Sequence, residues 1–370
     1  MKNPIKVLVI LGTRPEAIKL APVILELRKN PHTEPVVVAT AQHREMLDQV
    51  LALFDITPDY DLDLMIPNQT LFHVTGKAIQ GFENIMKTVQ PDFVLVQGDT
   101  TTTFIGALAG FYMKVPIGHV EAGLRTGNRY SPFPEEINRK MVSVLTNFHF
   151  APTEANRQNL LSEGFLPENI FVTGNTVIDA LLMTVQKDFT HQVLTGDYDK
   201  LILVTAHRRE NFGEPIKQIF QAIRHIAENN PRFRFVYPVH LNNNVQKPAE
   251  KILGKIPNVK LLPPLEYHTF ANILARTDLI LSDSGGIQEE APSLGKPVLV
   301  LRNETERPEA VKAGTVKIVG TNKEKIVQET LFILNNKDAF QRMARAHNPY
   351  GDGKASQRIL ECIRKNISKL

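Results

Sequence analysis

The chain has 370 residues, 42% apolar and 22% charged, with a formal charge of +4. That length favours two domains over one core, and a small charge from scattered basic residues speaks against a nucleic-acid partner. Cys362 is the single cysteine, which excludes an intrachain disulfide and a cysteine-based structural zinc site.

In the first half, Val/Ile/Leu-rich runs occur at 5–11, 35–40, 93–97, 116–120, 147–151 and 170–173. In the second half they occur at 201–205, 233–237, 259–262, 278–282, 297–301 and 316–319. Continuous apolar runs between helix-like stretches predict parallel strands buried on both faces, in an α/β, doubly wound architecture. The polar stretch around 182–199 divides the sets into two expected Rossmann-like domains, 1–180 and 181–370. The helix-like segment 355–368 could pack on either. Ligands of such sheets bind beyond the carboxyl ends of the strands, so we expect the active site in the interdomain cleft. No apolar run approaches the ~18 residues of a membrane span. The first strand-like run starts at Ile5, and the expectation is no signal peptide, no membrane partner and a cytoplasmic location.

The first unit reads VLVIL-GTRPEAIK. Gly12 allows a tight turn and Pro15 suits a first helical turn, which places Arg14 where an anion is favoured and Lys19 one turn on. A plain strand–turn–helix with solvated charges accounts for the same residues. The turn lacks G-x-G-x-x-G, Ala41-Gln42-His43-Arg44 follows the second run with no acidic residue, and Walker A is absent. A dinucleotide or P-loop site is therefore disfavoured. Asp99 ends the third unit, GDTTTT, where capping is the ordinary explanation. Glu121 occupies the equivalent point in GHVEAGLR, and two carboxylates at successive strand ends point to a shared pocket. Glu135 and Glu136 follow Pro134 in a first helical turn. Glu136 reads as a residue complementing the helix dipole, and Arg139 lies within i,i+4 reach of Glu135.

Beyond the strand at 201–205, AHRREN supplies His207, Arg208 and Arg209, and PVHLN similarly supplies His240. In DLILSDSGGIQEEAPSLGKPVLV, Ser284, Gly285 and Gly286 form a small-residue turn into a helix, the pattern of a phosphate site. Glu290 sits one turn in, suited to ribose hydroxyls.

These segments, together with TAQHREMLDQV, GNTVIDAL, TERPEA and NPYGDG, resemble the non-hydrolysing UDP-N-acetylglucosamine 2-epimerases, in that family's order from residue 12 to residue 353. The resemblance implies a two-domain GT-B-like fold and interconversion of UDP-GlcNAc and UDP-ManNAc with no metal and no cofactor. The implied route is anti elimination of UDP to 2-acetamidoglucal, then re-addition. Asp99, Glu121 and Glu135 fall on the family's catalytic carboxylates, and Lys19, Arg139 and His207 on further positions implicated in activity. Arg14, Ser284, Gly285, Gly286 and Glu290 match the UDP-binding positions. Gln42, His43, Arg208 and His240 match a second, activating UDP-GlcNAc pocket, with Glu45 where some members have Gln and Asn68 where some have Arg. A homodimer and a supply of ManNAc for surface polysaccharides are implied as well. A 2-epimerase of a related UDP-diacetamido sugar, a hydrolysing epimerase, a GT-B glycosyltransferase and a non-catalytic sensor are the alternatives.

Overall fold

The run Ile5–Leu11 forms strand β1, and every side chain from Val7 to Leu11 is buried, as a strand covered on both faces requires. The protein is described by a computed structural model covering residues 4–40, 44–66 and 69–367. Its first sheet adds β2 (Thr33–Ala39), β3 (Tyr60–Asp61), β4 (Phe93–Gln97), β5 (Ile117–Val120), β6 (Phe148–Ala151) and β7 (Ile170–Val172). All pairings are parallel, in the order β3-β2-β1-β4-β5-β6-β7. The two-residue β3 escapes the sequence reading because it carries no apolar run.

The second sheet contains β8 (Lys200–Thr205), β9 (Phe233–Pro238), β10 (Val259–Leu262), β11 (Leu279–Ser282), β12 (Val298–Val300) and β13 (Val316–Ile318). It is also wholly parallel, in the order β10-β9-β8-β11-β12-β13. Both are doubly wound Rossmann-like sheets. Each has one point where the winding reverses, between β1 and β4 in the first and between β8 and β11 in the second. Loops that leave two such strands diverge to opposite faces and open a crevice at the carboxyl edge.

The helix Arg14–Lys29 buries Ala17, Ile18, Leu20, Ala21, Val23, Ile24 and Leu27, the helical spacing that seats it on the sheet. Each large apolar side chain so buried contributes about 1.5–3 kcal/mol. Gly12 is required by close approach: a Cβ there would collide with the hydroxyls of Thr40 and Thr102.

One compact unit comprises the chain up to Leu182 together with the segment from Tyr350 onward, and the other is Met183–Pro349. The C-terminal segment thus joins the first unit, and the second ends at Pro349 instead of at the C-terminus. The physical reason is local. The helix Ala355–Asn366 packs on the helix Arg14–Lys29, and the buried Asp179 carboxylate accepts from Ala355 N (3.2 Å), Ser356 N (2.9 Å) and Ser356 Oγ (2.6 Å). Among the described residues no helix is long and apolar enough to cross a membrane.

Candidate active site

In the first unit, Glu121 follows β5 directly, with a backbone φ of +66°. That left-handed conformation costs a non-glycine residue about 1–2 kcal/mol, strain that marks a site the surroundings over-determine. Its carboxylate is held from three elements. Lys19 Nζ lies 2.7 and 2.6 Å from Oε1 and Oε2, Gln97 Nε2 donates to Oε2 at 2.5 Å, and Asn175 Nδ2 donates to Oε1 at 3.0 Å. The Lys19 contact is charge-assisted and partly shielded from water, so it also fixes where the cation stands.

Asp99 lies beyond β4, on the other side of the reversal from the Arg14 turn. Arg139 donates to its Oδ2 through Nε (2.9 Å) and Nη2 (2.6 Å), and Asn138 Nδ2 holds its backbone carbonyl at 2.9 Å. The third branch of the guanidinium, Nη1, donates to Glu136 Oε2 at 3.1 Å. Glu136 also accepts from Thr126 N and Gly127 N, each at 3.0 Å. Burial works to raise its pKa, but those two amides and Arg139 outweigh it and hold the carboxyl below its usual value.

This geometry corrects one expectation and adds to another. Arg139 pairs with Asp99 and Glu136, not with Glu135, because its guanidinium turns inward to the buried acids. Glu136 stands in the first helical turn, as expected, and is in addition buried and clamped to Arg139. Glu135 is half-buried, and its Oε2 is enclosed without a hydrogen-bond partner.

Beneath the cluster, Glu16 was not singled out as a site residue. Its buried carboxylate accepts from Gly12 N (2.9 Å), Thr13 N (2.7 Å) and Thr13 Oγ1 (2.9 Å) on one turn. From the other turn it accepts from Thr100 Oγ1 (2.6 Å) and Thr103 Oγ1 (2.9 Å). Burial raises its pKa, and those hydrogen bonds oppose the rise. The Arg14 turn and the Asp99 turn are therefore fastened to one acid. His119 Nε2 donates to Gly98 O at 2.7 Å, which holds the same turn from below. Burial depresses His119 to about 4 and its cross-strand neighbour His149 to about 3, so both rings are neutral at pH 7.

In the second unit the scaffold is Asp283, wholly buried just past β11. Its Oδ2 accepts from His207 N and Arg208 N, each at 2.8 Å, and from Asn211 Nδ2 at 3.0 Å. His207 Nδ1 stands 3.5 Å from Oδ1, and its ring stacks on that of His240 with centroids 5.7 Å apart. Burial lowers the His207 pKa, assisted by His240 and Arg208 and opposed by Asp283.

The turn Ser284–Gly286 enters the helix Gly285–Glu290 beside two guanidinium groups. A Cβ on Gly285 would lie 3.5 Å from Arg208 Nη2 and 3.9 Å from Arg307 Nη2. Arg307 is itself held by an ion pair to buried Glu289. Small residues next to two cations, one of them held in place, leave room for a diphosphate. Among the described residues, no group of three or more His, Cys, Asp or Glu is placed to hold a metal ion.

Residues 25–364 match the family model for UDP-N-acetylglucosamine 2-epimerase. An Escherichia coli O157:H7 protein called UDP-N-acetylglucosamine 2-epimerase is 54% identical over 98% of this chain and 99% of its own. A Bacillus subtilis protein of the same name is 54% identical over 96% of this chain and 94% of its own. The crystal structure of UDP-GlcNAc 2-epimerase from Neisseria meningitidis, bound to UDP-GlcNAc, superimposes with a TM-score of 0.89 at 53% identity, covering 98% of this chain and 100% of that one. The chain belongs to the UDP-N-acetylglucosamine 2-epimerase family. Its two Rossmann-like domains are those of the GT-B-like epimerases.

Within this epimerase chain the structure gathers Lys19, Asp99, Glu121, Glu135 and Arg139 at the carboxyl edge of the first sheet. It gathers His207, Arg208, His240, Ser284, Gly285, Gly286 and Glu290 at that of the second. Arg14, half-buried at its helix start, has no hydrogen bond or ion pair among the described residues. His207 and His240 were expected in different pockets, yet their rings are stacked together. Gln42, His43 and Asn68 lie outside the described residues, as does the side chain of Glu45. Sequence reasoning passed over Arg307, whose TERPEA segment was quoted only for resemblance, and Gln97 and Asn175, whose contacts to Glu121 join residues 24 and 54 positions apart.

Proposed function

We propose that the protein interconverts UDP-N-acetylglucosamine and UDP-N-acetylmannosamine without releasing the sugar by hydrolysis. The observation that carries this reading is the Glu121 carboxylate, held by Lys19, Gln97 and Asn175 one strand away from an Arg139-bound Asp99. Two separately supported acids at adjacent strand ends suit a reaction that removes a proton from one face of C2 and returns one to the other.

In the forward direction a carboxylate of the Asp99, Glu121 and Glu135 set takes the C2 proton as the anomeric C1–O bond breaks. The C–H electron pair becomes the C1=C2 bond of 2-acetamidoglucal, and UDP departs with the C1–O pair. A second acid then protonates C2 on the opposite face while a UDP oxygen re-forms the bond to C1. The C2 proton is weakly acidic, so alignment of base and leaving group carries much of the rate. Arg14, His207 and the Ser284–Gly286 amides hold the diphosphate, with Arg307 adding charge, and Glu290 takes the ribose hydroxyls. Neutral His207 is able to donate one hydrogen bond without carrying charge into the site.

The same reading makes the protein a cytoplasmic homodimer that supplies ManNAc units for surface polysaccharides. Gln42, His43, Arg208 and His240 then serve an activating UDP-GlcNAc; turnover of UDP-ManNAc alone with strictly hyperbolic kinetics would count against that role.

The deciding experiment is incubation with UDP-GlcNAc in D₂O, followed by proton NMR. The reading predicts deuterium at C2 and accumulation of intact UDP-ManNAc. Free ManNAc as main product would make the protein a hydrolase, and no change would leave a transferase, a sensor or an epimerase of another UDP-sugar.

A further inference from the structure

The chemistry above assigns nothing to Glu136, although it is 1% exposed and its carboxylate is engaged by three donors. We propose that Glu136 is a positioning residue for the Asp99 centre, acting through Arg139. The inference rests on the epimerase reading and deepens it, because it says what keeps one of its acids in place.

The argument is geometric. An arginine bonded to one flexible carboxylate swings with it, since both side chains have several rotamers. Arg139 is instead forked: Nε and Nη2 hold Asp99 Oδ2, while Nη1 is fastened to Glu136 Oε2. Glu136 cannot follow a moving guanidinium, because Thr126 N and Gly127 N occupy its oxygens from a different chain segment. The plane of the guanidinium is thereby set by the buried acid, and Asp99 takes its orientation from that plane. The same helix, Glu135–Leu145, also holds the Asp99 carbonyl through Asn138, so side chain and backbone of Asp99 are fixed from one element. Glu135, one residue away, has no such clamp, and its enclosed Oε2 is without a hydrogen-bond partner. The adjacent glutamates divide the work: one for the reacting sugar, one for the scaffold.

The test is a double-mutant cycle read by C2 deuterium uptake in D₂O. Glu136→Gln keeps the size of the side chain but not its charge or both acceptors. Its kcat is expected to fall at least ~10-fold, the order that displacement of a reacting group produces. KM and the UDP Kd should stay within about twofold of wild type, because ground-state binding is untouched. In an Arg139→Lys background, which has no fork to hold, the same substitution should cost less than about twofold further. An equal loss in both backgrounds, or wild-type exchange by the single variant, would overturn the inference. If Glu136→Gln fails to fold, as judged by lost UDP binding, Glu136→Asp takes its place in the same cycle with the same two outcomes. Deuterium uptake by the wild type separates the levels: its absence defeats the epimerase reading, whereas its presence with unaffected variants defeats only the role of Glu136.

Discussion

The two switch-point regions use buried acids in opposite ways. Around Asp99 and Glu121, side chains from distant elements converge on two strand-end carboxylates, and the backbone of the turns is secured separately by Glu16 and His119. Around Ser284, the buried acid is itself the scaffold: Asp283 holds the backbone that presents His207 and Arg208 to a glycine turn. The first arrangement suits proton transfer, where the orientation of an acid matters. The second suits an anion, where rigid donors and fixed cations matter.

Ways to break that contrast follow in order of size. Asp99→Asn should lower C2 deuterium uptake by roughly 10²–10⁴-fold, the span of a lost general acid or base, while UDP binding measured by calorimetry is retained. A folded variant with near-normal turnover would remove Asp99 from the proton-handling set. Arg307→Met should weaken UDP binding roughly 10- to 100-fold, as expected for one charged hydrogen bond of about 1.5–3 kcal/mol. Its kcat at saturation should change much less, which separates holding the nucleotide from moving the proton.

The acid sensitivity of the first unit has a defined sign. His119 sits at about 4 when folded, below the ordinary 6.5, so its contribution is complete above pH 6.5 and is lost as pH falls toward 4. One such group is worth about 3 kcal/mol across that window. His119→Gln, which retains a donor for Gly98 O, should show a smaller loss of stability between pH 7 and 4.5 in urea unfolding followed by circular dichroism. An unchanged pH dependence would contradict the buried neutral ring. The smallest effect is expected at Asp179→Ala, which removes the acceptor at the start of the helix Ala355–Asn366 and should cost about 1 kcal/mol. Hydrogen exchange should rise in that helix first.

Legibility in the sequence followed the range of the interactions. Buried strands such as Phe93–Gln97 and Leu279–Ser282 announce themselves as apolar runs, because both faces are covered by one local pattern. The Ser284-Gly285-Gly286 turn was readable for the same reason. The clamp made by Glu136 was not legible because its donors Thr126 and Gly127 lie back along the chain in a segment without periodicity. Arg139 was misassigned because its true partner, Asp99, is forty residues away while Glu135 is a plausible i,i+4 neighbour. Helix-local pairing rules cannot see a guanidinium that turns inward. The placement of the C-terminal helix was likewise invisible, since Asp179 meets Ser356 across nearly half the chain.

The most direct test of the division between the two regions is Glu121→Gln, assayed for C2 deuterium uptake and for UDP affinity on the same preparation. The account predicts exchange reduced at least ~100-fold with a UDP Kd close to wild type. Exchange near the wild-type rate, or UDP binding lost while exchange persists, would contradict it.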